Sequence, residues 1–100
     1  MIIFHPFAQQ ELVDAAAFYE EQLIDLGMEF LSVVEQSIDN IEENPKAYPL
    51  SHPHLEIRRC VMKRFPFFVY FRLKEEAIEI FAVAHQSKQP DYWLKRSALH

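Results

Sequence analysis

The apolar residues of this chain keep two different periods, and the change between them falls in a proline-marked stretch at residues 45–54. Up to residue 43 they recur every three or four positions, and from residue 55 they alternate. The first period belongs to a helix with one buried face and the second to a strand with one buried face. Helices followed by strands in one short chain imply an α+β arrangement, with the helices on one face of a sheet.

The first half reads as a short strand and two helices. Met1–Phe4 is an apolar run, and Pro6 suits the first turn of a helix, where its missing N–H costs nothing. Ala8, Leu12, Ala15, Tyr19 and Leu23 then fall at helical spacing with acids between them. Ala15, Ala16 and Ala17 favour helix and permit close packing. Gly27, the only glycine, is expected to end this helix as a C′ residue with φ > 0. A second helix is expected from Met28 to about Glu43, with Phe30, Val34, Ile38 and Ile41 on its apolar stripe and Leu31 beside it. Asn44 precedes Pro45 and so leaves the helical region there. The two helices should form an antiparallel hairpin.

Residues 45–54, with Pro45, Pro49 and Pro53, read as a loop. "LEIRRCVMKR", "FFVYFRL" and "AIEIFAVAH" then read as three strands of an antiparallel meander. The expected architecture is β-α-α-β-β-β with a tail over 89–96, the helix hairpin packing on a small, mainly antiparallel sheet. The other sheet face would carry Arg58, Arg59, Lys63, Arg64 and Arg72 or a subset, since a one-residue slip exchanges the faces.

One hundred residues, half of them apolar, make one domain over 1–100 with one core. A lone cysteine, Cys60, rules out an intramolecular disulfide and suits a reducing cytoplasm. No basic N-terminal segment suggests a signal peptide, and no stretch approaches the roughly 20 apolar residues of a membrane span. The first fifty residues carry −9 and the last fifty +4, giving the net −5. An acidic front and a basic back suit a molecule with one face for anions, or simply two solvated faces.

Two constellations carry candidate chemistry. In "RRCVMKRF", Arg58, Arg59, Lys63 and Arg64 offer cations for phosphates or carboxylates; the same residues would also serve solubility and edge protection. In "FAVAHQSKQPDYW", His85 at the expected end of the last strand is a candidate acid or base, Lys88 an anion holder, and Tyr92 or Trp93 a stacking platform. Taken alone, the cluster fits better as a histidine ordering a strand end, with Tyr92 and Trp93 closing the core. "HPH", with His52 and His54 in a loop, has no fixed metal geometry and no supporting carboxylate or cysteine motif, so no metal site is expected. His100 is terminal and is set aside. One glycine cannot build a phosphate loop, and no cofactor is expected. The aromatics of "RFPFFVYF" exceed what a small core easily hides, and a sheet edge or the helix hairpin could accept a peptide segment.

With "FHPFAQQELVDAAAFYEEQLIDLGMEF", "IEENPKAYP", "RRCVMKRFPFFVYF" and "IFAVAHQSKQPDYWLKR" in this order, the sequence resembles the ParE/RelE superfamily of type II toxin–antitoxin toxins, the plasmid-stabilisation proteins. The resemblance implies the β-α-α-β-β-β fold and a growth-arresting toxin neutralised by a cognate antitoxin that wraps across it, in assemblies that pair further. It implies one of two targets. ParE-like members inhibit DNA gyrase; RelE-like members cut mRNA on the ribosome. On the RelE-like reading Arg59, His85 and Tyr92 would be catalytic; on either reading Arg58, Arg59, Lys63, Arg64 and Lys88 would bind target or phosphate. The net −5 opposes approach to an RNA-lined site, and "AVAHQSKQP" looks more like the ParE-like version, so the resemblance favours gyrase. An inactive member that only binds antitoxin is the third reading.

Overall fold

The structure, a computed structural model, describes residues 1–98, and His100 lies outside them. Strand β1 (Ile2–Phe4) leads into helix α1 (Pro6–Gln22), which is followed by helix α2 (Leu26–Glu43). Strands β2 (Leu50–His52), β3 (Ile57–Val61), β4 (Phe67–Lys74) and β5 (Ala77–His85) complete a five-stranded sheet in the order β1-β5-β4-β3-β2. β1 runs parallel to β5, and every other pairing is antiparallel. The expected helix hairpin and meander are both present. β2, within the stretch read as a loop, is the added element: it is three residues long and wedged between proline turns, too short to show a period.

Local chemistry starts and stops the helices. His5 caps α1, its Nδ1 accepting the Phe7 N–H at 3.1 Å, and Pro6 follows as foreseen. Gly27 does not end α1. Asp25 takes the left-handed turn, with φ 74°, and Gly27 lies inside α2 with no positive φ. The glycine is there for space: a Cβ at this position would stand 2.5 Å from the Ala16 carbonyl oxygen. Glu20 of α1 accepts the N–H groups of Asp25 and Gly27, at 2.9 and 3.0 Å. It satisfies N–H groups that α2 cannot satisfy itself and sets a negative charge at the positive end of that helix.

The sheet has two buried faces. Toward the helices, Cys60, Met62, Phe67, Val69, Phe71, Ile78, Ile80 and Val83 pack under Phe30, Val34 and Ile41 of α2 and Ala8 of α1. Ser37, not Ile38, holds the buried place between Val34 and Ile41, and its hydroxyl donates to the Val33 carbonyl at 2.9 Å. On the outer face, Ile57, Phe81, Ala82 and Ala84 form a smaller cluster closed by Trp93. A bulge makes this possible. Tyr70 pairs with Ala82 and Phe71 with Ile80, so Phe81 is left over, and Phe81 and Ala82 both join the outer cluster.

The outer face is therefore not the bare basic surface that the strand pattern suggested. Arg59 and Arg72 stand on it, Arg72 paired with Glu79 at 3.2 Å over the Phe81 ring. Arg58 instead leaves on the face of Cys60 and Met62 and donates to the Tyr48 carbonyl at 2.6 Å. Lys63 and Arg64 lie beyond β3 in the turn to β4, where Arg64 has φ 73°. No described helix is long and apolar enough to cross a membrane.

Candidate functional site

The tail after β5 is fastened by one carboxylate. β1 covers β5 only as far as Ile80, whose carbonyl accepts the His5 N–H at 2.9 Å. Past that point the β5 edge is closed by side chains. Glu11 of α1 accepts the Val83 N–H at 3.1 Å, and Arg96 of the tail donates to the Phe81 carbonyl at 3.0 Å. Arg96 also pairs with Glu11 at 2.9 Å, and the Tyr92 hydroxyl donates to the same carboxylate. Burial and that hydrogen bond push the Tyr92 phenol well above the ordinary tyrosine range. Across the sheet, His52 of β2 pairs with Asp91 at 2.9 Å and stands edge-on to Trp93. His54 is exposed in the following turn, and no group of three metal-ligating side chains forms among the described residues.

Held this way, the tail makes a pocket of about 140 Å³ against the outer sheet face. Of the seven candidate residues, Arg59, His85, Lys88 and Tyr92 line it, and Arg58, Lys63 and Arg64 do not. Phe68, Tyr70 and Trp93 form its walls, Trp93 stacked on Tyr70 at 4.4 Å. The Arg59 guanidinium lies over the Phe68 ring at 4.6 Å, and its buried Nε meets no acceptor among the described residues. Lys88 stands over the Tyr92 ring at 5.4 Å.

His85 is near these groups but turned to other work. Its ring is edge-on to Phe67 of the core, and Nδ1 accepts the Ser87 N–H at 3.0 Å. An N–H donating to Nδ1 leaves the neutral ring's proton on Nε2, so that nitrogen is a donor rather than a base. The Tyr92 hydroxyl is committed to Glu11. The pocket thus offers a cation and aromatic walls, while the two groups with protons to exchange are engaged on its helix side.

A second, larger concavity lies at the opposite edge of the sheet. It encloses about 710 Å³ between the flank of α2 and the end of β3. Val33 and Ser37 of α2 and Cys60 of β3 line it, with Tyr48 at one end and Met28 at the other. Burial pushes the Cys60 thiol upward. Lys63 and Arg64 stand at the rim, Arg64 paired with Glu29 at 3.3 Å. β2 covers β3 only to Arg59, whose N–H donates to the Pro49 carbonyl at 3.1 Å. The Met62 N–H bonds to Phe67 of β4, so by alternation the N–H and C=O of Val61 face the open edge. The Val61 side chain is 56% exposed.

Glu11 and Arg96 were not singled out by sequence reasoning. The signal for Glu11 was present: it falls three residues after Ala8 and four before Ala15, on the stripe that faces the core. Arg96 sits in a tail without a period, and nothing in its neighbourhood marks it.

A family model described as the ParE toxin of the type II toxin–antitoxin system, parDE, matches residues 2–90. Among solved structures, the chromosomal ParDE TA system from P. aeruginosa contains a chain of the same fold, with a TM-score of 0.70 and 18% identity over 84% of this chain and 92% of that one. No curated protein matches the sequence.

Proposed function

The chain belongs to the ParE toxin family of type II toxin–antitoxin systems, and from that premise we propose that it arrests growth in the cytoplasm by inhibiting DNA gyrase and is neutralised by a cognate antitoxin. Residues 1–100 act as one toxin domain, and no nuclease chemistry is required. The observation that carries this reading is the engagement of His85 and Tyr92. A metal-free ribonuclease needs a free base beside its phosphate-holding cation. Here Nδ1 of His85 is held by Ser87, and the Tyr92 hydroxyl by Glu11. The net charge of −5 supports the same choice, because it repels a polyanionic target at long range.

The antitoxin segment, on this proposal, lies in the groove between α2 and β3. An extended strand adds to the open edge at Val61, and an apolar side chain covers Cys60 and Val33. Lys63 and Arg64 then serve a protein surface at the groove's rim and not a phosphate chain.

Expression of the toxin without antitoxin, with two readouts from the same cells, tests the target. Broken or relaxed DNA with intact mRNA is the expected result. Cleaved mRNA on primer extension with normal DNA topology would reject gyrase and restore His85, Arg59 and Tyr92 as catalytic candidates. Absence of growth arrest would leave only antitoxin binding.

A further inference from the structure

We propose that the pocket at Arg59 receives a single carboxylate, the acidic side chain of a protein partner. The chain has five arginines, and four have acceptors: Arg58 the Tyr48 carbonyl, Arg64 the Glu29 carboxylate, Arg72 Glu79, and Arg96 Glu11 with the Phe81 carbonyl. Arg59 alone has none among the described residues, and its Nε is buried in that state. Buried polar groups are rarely left without partners, and an exception is completed by a water, an ion or a group that a partner brings to the same guanidinium. The side chain is nonetheless fixed, since the guanidinium rests on the Phe68 ring at 4.6 Å. A pre-set guanidinium loses little freedom on binding, and a carboxylate is the acceptor its planar fork suits.

The surroundings choose among anions. Lys88 adds a second positive charge, and Asp91 in the lining is already taken by His52 at 2.9 Å. The cavity of about 140 Å³ holds one small group, roughly the space of four or five waters at about 30 Å³ each. A nucleic-acid phosphate would bring its neighbours against a chain of net −5, whereas a single carboxylate meets the two local cations and one like charge, Asp91, which His52 holds. Tyr70 and Trp93 give the methylenes of a glutamate side chain an apolar wall. The inference goes beyond the toxin reading and holds whichever target the toxin has.

The test is a titration of the ¹⁵N-labelled full chain with N-acetylglutamate α-amide, its glutamine counterpart and methyl phosphate. The Arg59 Nε–H and Trp93 Nε1–H resonances are the readout. The glutamate compound should shift both saturably and the glutamine compound neither, and Arg59→Met should weaken the response about tenfold or more through loss of a charge-assisted bond. Equal linear drift with both amino-acid compounds overturns the proposal, and so does an unchanged response in Arg59→Met. Saturation by methyl phosphate at about tenfold lower concentration overturns it in favour of a phosphate site. If Arg59→Met fails to fold, the contrast between the two compounds on the wild-type chain still decides. Growth arrest plays no part in the readout, so its outcome and that of the gyrase experiment are independent.

Discussion

Replacing Gly27 by alanine sets two effects of opposite sign against each other. Alanine favours a helix interior over glycine by about 1 kcal/mol. The added Cβ would stand 2.5 Å from a backbone oxygen of α1 and 3.0 Å from the Glu20 Cβ. A backbone carbonyl cannot swing aside, so the helices must separate, at about 1–3 kcal/mol. A net loss of up to about 2 kcal/mol is expected from these two terms, read as a lower urea midpoint at unchanged slope. Glu11→Gln should cost more, about 2–3 kcal/mol, because it leaves Arg96 without its charge partner where both are mostly buried. Tyr92 gives a pH signature. Its folded pKa is raised, first by burial and then by Glu11. The stability it contributes is therefore complete below the unfolded value of about 10 and is lost as pH rises beyond it. Burial raises Tyr19 and Tyr48 in the same direction. Unfolding free energy should fall above about pH 10, and Tyr92→Phe should flatten part of that slope in a denaturant series.

Among elements, the open half of β3 permits a clean test of antitoxin docking. The Val61 N–H lies outside the ladder to β4, so Val61→Pro removes a donor the fold does not use. Its circular dichroism should match wild type while antitoxin affinity falls about tenfold or more, measured by calorimetry, through loss of an edge hydrogen bond and its strand geometry. Unchanged affinity would remove β3 from the interface. The elements themselves were legible to different depths. α1, α2 and the three longer strands announce themselves by period, because each buries one face against a single layer. β2 does not, being three residues long and shaped by pairing with β3. On sequence alone Gly27 reads as a stop signal, because glycine at a helix end means φ > 0 in most settings. Its actual role is an inter-helix distance, which no local pattern records. The pocket was half legible: Arg59, His85, Lys88 and Tyr92 are candidates on sequence alone, alongside Arg58, Lys63 and Arg64, but the bulge at Phe81 arises from cross-strand pairing with β4 and the Glu11 tether joins residues 81 positions apart.

At the scale of the molecule, the sheet orders its own stability. β4 and β5 are flanked on both sides and covered on both faces, while β2 and β1 are short edges. Amide exchange should therefore be slowest in β4 and β5 and fastest in β2. The acidic half of the sequence supplies the helices and the basic half β3, β4, β5 and the tail, so the Glu11–Arg96 and Glu29–Arg64 pairs tie two oppositely charged halves together. The parallel pairing of β1 with β5 has a consequence in time. Ile2 finds its place beside Ile78, and the ribosome makes those residues on the order of ten seconds apart at typical elongation rates. The first strand waits, unpaired, for the last. The sheet thus closes only when nearly the whole chain has been made, and the pace of synthesis sets the length of that interval.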